Sequence, residues 1–190
     1  MAHAMMLFPA TYRPWRALRH GGIARFMASF TAIPMAALVA ALAILPAPAR
    51  AVAVGDTVQL PAVTLIDGRT LGPETWRGKP VVIQIWATWC PFCAMQNPRL
   101  QKMYAATRNT PLQVLTVSID PKPETVREYV AQRKYTFPVT MSNPTLKQAI
   151  GAHRGIPEVI VLDRNGRVVL HEIGEMLEED VAELAKYATQ

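Results

Sequence analysis

The sequence predicts an α/β domain in which a mixed central β-sheet is covered by helices. Three observations carry this. The run VVIQIWA at 81–87 is short, apolar and β-branched, as a buried strand requires. A strand–helix–strand–helix alternation follows it to about residue 134, and such long crossovers join parallel strands. Near the end, PEVIVLDRNGRVVLHEIG places Arg164-Asn165-Gly166 between two apolar runs, a hairpin signal that adds antiparallel strands.

The elements follow in order. GDTVQLPAVTLIDGRTLG alternates apolar and polar residues around Asp67-Gly68, which predicts two short strands and a turn. PETWRGK reads as one helical turn and a loop. After the strand at 81–87 a helix is expected over 91–108, kinked where Pro98 removes a ladder hydrogen bond. PLQVLTVSID is the next strand. The stretch 123–134 is a helix with Pro123 and Glu124 in its first turn. FPVTM is a short extended piece. NPTLKQAIGAH is a short helix capped by Asn143. An amphipathic helix over 177–189 closes the domain, with Glu178, Glu179 and Asp180 at the end its dipole favours. No repeat or second domain fits the length.

The formal net charge of +6 is a local property. Five arginines precede Ala51 and no acid does, which leaves 15 Lys/Arg against 14 Asp/Glu for the remainder. That near balance argues against a nucleic-acid partner. A basic stretch ending at Arg25, the apolar FMASFTAIPMAALVAALAILPAPA, and small residues in APARA read as a secretory signal. A membrane anchor is the alternative, since 26–45 has about the length of a short spanning helix. Residues 1–51 are thus expected to be leader or anchor, and 52–190 a single domain outside the cytoplasm.

The chain has two cysteines, Cys90 and Cys93, in WATWCPFCAMQNP. A bridge closing so small a loop stabilises little. A structural zinc site needs four ligands, and His153 and His171 lack finger spacing, so both read as ordinary polar or strand-end residues. A soft-metal site using both thiols and Met95 stays open, as does an inert bridge. The favoured reading is redox chemistry. Cys90 opens a helix, where free backbone N–H groups favour a thiolate. Cys93 lies one turn on. Cys90 would be the exposed nucleophile and Cys93 would resolve the mixed disulfide. Trp86 and Trp89 offer apolar ground beside them.

In GDTVQLPAVTLIDGRTLG, GKPVVIQIWATWCPFC, VLTVSID and GIPEVIVLDRNGRVV the chain resembles the exported thiol-disulfide oxidoreductases of the TlpA/ResA type, related to DsbE/CcmG, over 55–187. The resemblance implies a thioredoxin-like fold with an N-terminal β-hairpin extension. It makes Cys90 the attacking and Cys93 the resolving thiol. Pro157 would be a cis-proline facing them, with the Ile156 backbone contacting the client. Glu158 resembles the acid of the branch that reduces apocytochrome c, where it would tune the thiols or accept a proton; a surface carboxylate at a strand start is the plainer alternative. Relatives carry acids where this chain has Gln84 and Gln96, and an amide cannot act as a base. Phe92 is a weak clue, and nothing in Pro91-Phe92 demands a strong oxidant. There is neither a dimerisation domain nor a large helical insertion, and the resemblance implies a specialised periplasmic reductant; a monomer is expected. Its partners would be client protein disulfides, apocytochrome c first among them, and a membrane electron donor. No cofactor and no metal are expected. The alternative is a copper-transfer module, or a reductant for an oxidase copper site.

Overall fold

The computed structural model describes residues 51–189. The expected leader or anchor, Ala51 apart, lies outside the described residues. Two minimal strands, β1 (Val63–Thr64) and β2 (Thr70–Leu71), precede a five-stranded sheet. Its members are β3 (Val81–Trp86), β4 (Gln113–Ser118), β5 (Val139–Met141), β6 (Glu158–Leu162) and β7 (Val168–Ile173). The spatial order is β5-β4-β3-β6-β7. β3, β4 and β5 run parallel, and β6 and β7 are antiparallel to their neighbours. The sheet is therefore mixed, as the crossovers and the terminal hairpin require.

β3 is central and buried along its whole length. Its side chains alternate between two cores. Val82 and Trp86 enter the first, with Val159 and Val161 of β6. That face is covered by α1 (Pro91–Thr107), α2 (Pro123–Arg133) and α4 (Glu178–Glu183), which contribute Leu100, Val126 and Val181. Val81, Ile83 and Ile85 enter the second core with Ile160 and Leu162. There α3 (Pro144–Ile150) adds Leu146 and Ile150. Asn143 caps α3, its Oδ1 accepting from the Leu146 N–H at 2.9 Å.

The N-terminal segment behaves differently from a free-standing hairpin. Its strands are two residues each because its backbone bonds to both edges of the main sheet instead. Gly55 N–H donates to Val168 O at 2.8 Å, and Val168 N–H to Asp56 O at 2.8 Å, beside β7. Ile66 N–H donates to Val139 O at 2.9 Å beside β5. Between these edges the segment lays Val58, Leu60, Val63 and Leu65 onto the second core. This protects both edges from pairing with other chains. Gly166 serves the same crossing. Its φ is +76°, and a Cβ there would come within 2.5 Å of Val58 O.

Three other expectations are adjusted. FPVTM is strand β5. The helix over 91–108 is continuous through Pro98, which lies on the exposed side where water can reach the carbonyl its missing N–H leaves free. The closing helix splits into α4 and a 3-10 segment, Leu184–Thr189. A 3-10 turn aligns residues three apart, and Leu184 and Tyr187 both bury their side chains in the first core.

Candidate active site

β3 ends at Trp86 and delivers Ala87-Thr88-Trp89 to the start of α1. Cys90 is the residue that caps α1, with extended backbone (φ −86°, ψ 116°) and Pro91 at the first helical position. The Cys93 N–H donates to Cys90 Sγ at 3.2 Å. One of the free N–H groups of the helix start is thus spent on this sulfur. Cys90 is 4 % exposed and Cys93 0 %. Cys90 is therefore recessed rather than protruding, because exposed Trp89, Pro91 and Phe92 stand around it. The two thiols are unbridged.

A carboxylate that the sequence reading did not single out holds the approach loop. Asp120, just beyond β4, accepts from the Thr88 N–H at 3.0 Å and the Thr88 hydroxyl at 2.6 Å. Ser118 donates its hydroxyl to the same carboxylate at 2.7 Å. The loop two residues before Cys90 is pinned to the adjacent parallel strand. The available signal was the polar Ser118-Ile119-Asp120 ending an apolar strand, since the carboxyl ends of parallel strands are where sites form.

Pro157 comes from the opposite side. The Ile156–Pro157 bond is cis, as the resemblance implies. Cys90 Sγ lies 3.7 Å from Ile156 O, with the thiol as donor. The segment after β7 borders this loop, since Gly174 N–H donates to Pro157 O at 2.8 Å.

Glu158 is not a surface carboxylate, for it is 1 % exposed. Nor does it share a face with the thiols. In β6, Val159 and Val161 join the core that holds Cys90 and Cys93, and Ile160 and Leu162 join the other. Alternation puts Glu158 with the latter, opposite Ile85. There Oε1 meets His171 Nε2 at 2.5 Å, and Oε2 accepts from the Arg154 N–H at 3.0 Å. His171 is thus a buried partner of Glu158 rather than an ordinary strand residue. Its signal was faint, a polar residue within the apolar β7 run.

Gln84 and Gln96, noted in the sequence as neutral, are bonded to each other. Gln96 Nε2 donates to Gln84 Oε1 at 2.8 Å. Gln84 Nε2 donates to Asn97 Oδ1 at 2.7 Å, and Gln96 Oε1 accepts from the Met176 N–H at 2.7 Å. All three side chains are fully buried. They form an amide cluster under the dithiol, along the stripe of α1 that also carries Cys93.

Burial pushes the Cys93 thiol well above the ordinary thiol range, and its hydrogen bond with Cys90 adds to this. A stability consequence follows. The folded state holds the Cys93 proton where the unfolded chain releases it, so this contribution is intact below the ordinary thiol range and is lost as pH rises through and beyond it. Denaturant unfolding of the reduced protein should show stability falling in alkali. Cys93→Ala should flatten that fall, and an unchanged slope would refute the assignment.

Among the described residues, no group of three or more His, Cys, Asp or Glu side chains is placed to hold a metal ion, and no helix is long and apolar enough to cross a membrane. A cavity of about 510 Å³ lies at the far end of β3, lined by Trp76, Lys79, Val81 and Leu162, away from the thiols.

A dithiol capping a helix, set against a cis-proline loop in a thioredoxin-like fold, defines a thiol-disulfide oxidoreductase. Residues 53–188 match the Redoxin family model, and the chain belongs to that family. It is 27 % identical over 133 residues to the thiol-disulfide oxidoreductase ResA of Geobacillus thermodenitrificans, covering 69 % of this chain and 75 % of that one. A Chlorobium tepidum structure described as a putative thiol:disulfide interchange protein DsbE superimposes with a TM-score of 0.62 at 25 % identity, covering 72 % of this chain and 96 % of that one. A thioredoxin family protein from Chlorobium tepidum TLS gives 0.65 at 23 %, covering 73 % and 99 %.

Proposed function

We propose that this chain is a periplasmic protein-disulfide reductant whose leading client is apocytochrome c during cytochrome c maturation. The observation that carries the reading is Cys90 Sγ, held between the α1 amides and the Ile156 carbonyl beside Pro157. An extended client strand laid against the Ile156 backbone brings its disulfide to this sulfur. Exposed Trp89, Phe92 and Met95 give that strand an apolar border. The Cys90 thiolate attacks one client sulfur and releases the other as a thiolate. Cys93 then attacks Cys90 Sγ, which frees the client dithiol and leaves a Cys90–Cys93 disulfide. The client gains two electrons and this pair loses two. A membrane thiol carrier restores the dithiol. The apolar N-terminal stretch supports export or anchoring.

The test is the reduction potential of the Cys90/Cys93 couple together with reduction of an oxidised Cys-x-x-Cys-His peptide. A value below about −200 mV and turnover of the peptide support the reading, whereas a value near about −120 mV marks an oxidant and overturns it. An oxidase copper-site disulfide is the competing client, and a clear preference for its peptide would replace apocytochrome c in the assignment.

A further inference from the structure

Among the described residues, no carboxylate or imidazole hydrogen-bonds to Cys93. Cys93, Gln96, Asn97 and Leu100 lie three and four residues apart on α1 and are all 0 % exposed, so they share one buried stripe. Across from it, Gln84 of β3 bonds to both Gln96 and Asn97. These amides neither take up nor release protons near neutral pH. On the thiol side, β6 contributes Val159, and the loop before it carries Pro157. Cys90 and the phenols Tyr104, Tyr129, Tyr135 and Tyr187 pack into the same apolar core, and phenols ordinarily keep their protons near neutrality. At its edge, beside the Met176 whose N–H bonds Gln96, Arg99 and Glu175 are paired with each other at 2.6 Å.

The buried or half-buried carboxylates around the site, Asp120, Glu158 and Glu175, have other partners, Glu175 being paired with Arg99. Asp120 is occupied by Thr88 and Ser118. Glu158 is on the other face of the sheet with His171 and Arg154 N–H. Yet Cys93 must lose its proton before it can attack Cys90, because only the thiolate is nucleophilic. Burial makes that loss unfavourable for Cys93 acting alone.

We propose that the client supplies the base: the client thiolate released in the first step takes the Cys93 proton, so the substrates are disulfides between cysteines close together in one chain. This rests on the reading of the protein as a disulfide reductant. The steps balance. Cys90 S⁻ attacks one client sulfur, the client S–S bond breaks, and the other client sulfur leaves as S⁻. Cys93 S–H passes its proton to that sulfur. Cys93 S⁻ attacks Cys90 Sγ, the Cys90–client bond breaks, and the second client sulfur leaves as S⁻, to be protonated by solvent. A client with two neighbouring cysteines keeps its first thiolate at the site while still tethered to Cys90. A disulfide between two separate monothiol molecules loses that thiolate to solvent, and resolution must then wait for hydroxide.

The amide cluster also offers a way to restore a base. Asn97 Nδ2 is buried without a hydrogen-bond partner. In Gln96→Glu, the new carboxylate keeps the Met176 N–H. Gln84 and Asn97, which now meet through Gln84 Nε2 and Asn97 Oδ1, both turn their amides over, so that Gln84 donates to the carboxylate at position 96 and accepts from Asn97 Nδ2. The substitution is thus accommodated by a donor now idle.

The experiment is single-turnover mixing of the reduced protein with two peptide disulfides of matched flanking sequence. One is an intramolecular Cys-x-x-Cys disulfide and the other a symmetric disulfide of a monothiol peptide. Acid quenching and mass spectrometry count the mixed disulfide between pH 6 and 8. The monothiol adduct should accumulate and decay about tenfold faster per pH unit, as hydroxide dependence requires. The Cys-x-x-Cys adduct should resolve faster and with a nearly flat pH profile. Gln96→Glu should speed decay of the monothiol adduct by roughly 10²-fold at the acid end and flatten its slope. Equal wild-type rates and slopes for the two adducts would overturn the proposal, whatever the variant does. Failure of Cys90 to attack either peptide would instead overturn the reductant reading, and this inference with it.

Discussion

Cys93→Ser is expected to turn the protein into a trap. Cys90 still sits at the α1 N-terminus with the residue-93 N–H on its sulfur, so attack on a client disulfide proceeds. The hydroxyl at 93 cannot displace the client, and the mixed disulfide persists at one client per protein molecule. Cys90→Ser is expected to lose reduction to the uncatalysed background, because Cys93 is fully buried and cannot reach a client. Non-reducing gels and mass spectrometry read both outcomes. A stable adduct formed through Cys93 would reverse the roles assigned here. The captured protein also identifies the client directly.

Glu158→Ala is expected to have the largest effect on stability among the site residues. It removes the acceptor of the Arg154 N–H, in an exposed residue, and of His171, whose side chain is buried. Leaving the buried His171 donor unpaired costs about 1–3 kcal/mol, a fall in Tm of several degrees. Glu158→Gln retains an acceptor for one donor and should lose less. The effect reaches the chemistry through position, since Arg154 lies in the loop that carries Ile156 and Pro157. Client attack by Cys90 should slow in Glu158→Ala without a shift in its pH profile. A shifted profile at unchanged Tm would instead make Glu158 a direct partner of the thiols, the role the family resemblance implies.

The contrast between Glu158 and the cysteines shows what sequence reading reaches. Cys90 and Cys93 are legible because their chemistry depends on local spacing, a helix start and one turn. The buried strand at 81–87 and the turn at Arg164-Asn165-Gly166 are legible for the same reason. Glu158 was visible as an acid after a proline. Which side of the sheet it enters depends on the register of β6 against β3, and one residue of slip would exchange the faces. The edge bonding of residues 55–66 was hidden as well, because alternation alone does not reveal a strand's partner.

Two more features needed the assembled molecule. Asp120 reaches Thr88 across 32 residues, and Gln96 reaches Gln84 across 12. The sequence shows Gln84 and Gln96 to be neutral. Only the packing of α1 onto β3 makes them a single amide cluster beneath Cys93. Residue order by itself determined the spacing of the cysteine pair, the strand and helix periods and the lack of an acid at those two positions, all properties of single residues or short spacings. The tertiary structure decided which side chains meet and on which face. Those outcomes depend on strand register and helix docking, where contacts between distant segments are chosen by burial and hydrogen bonding together.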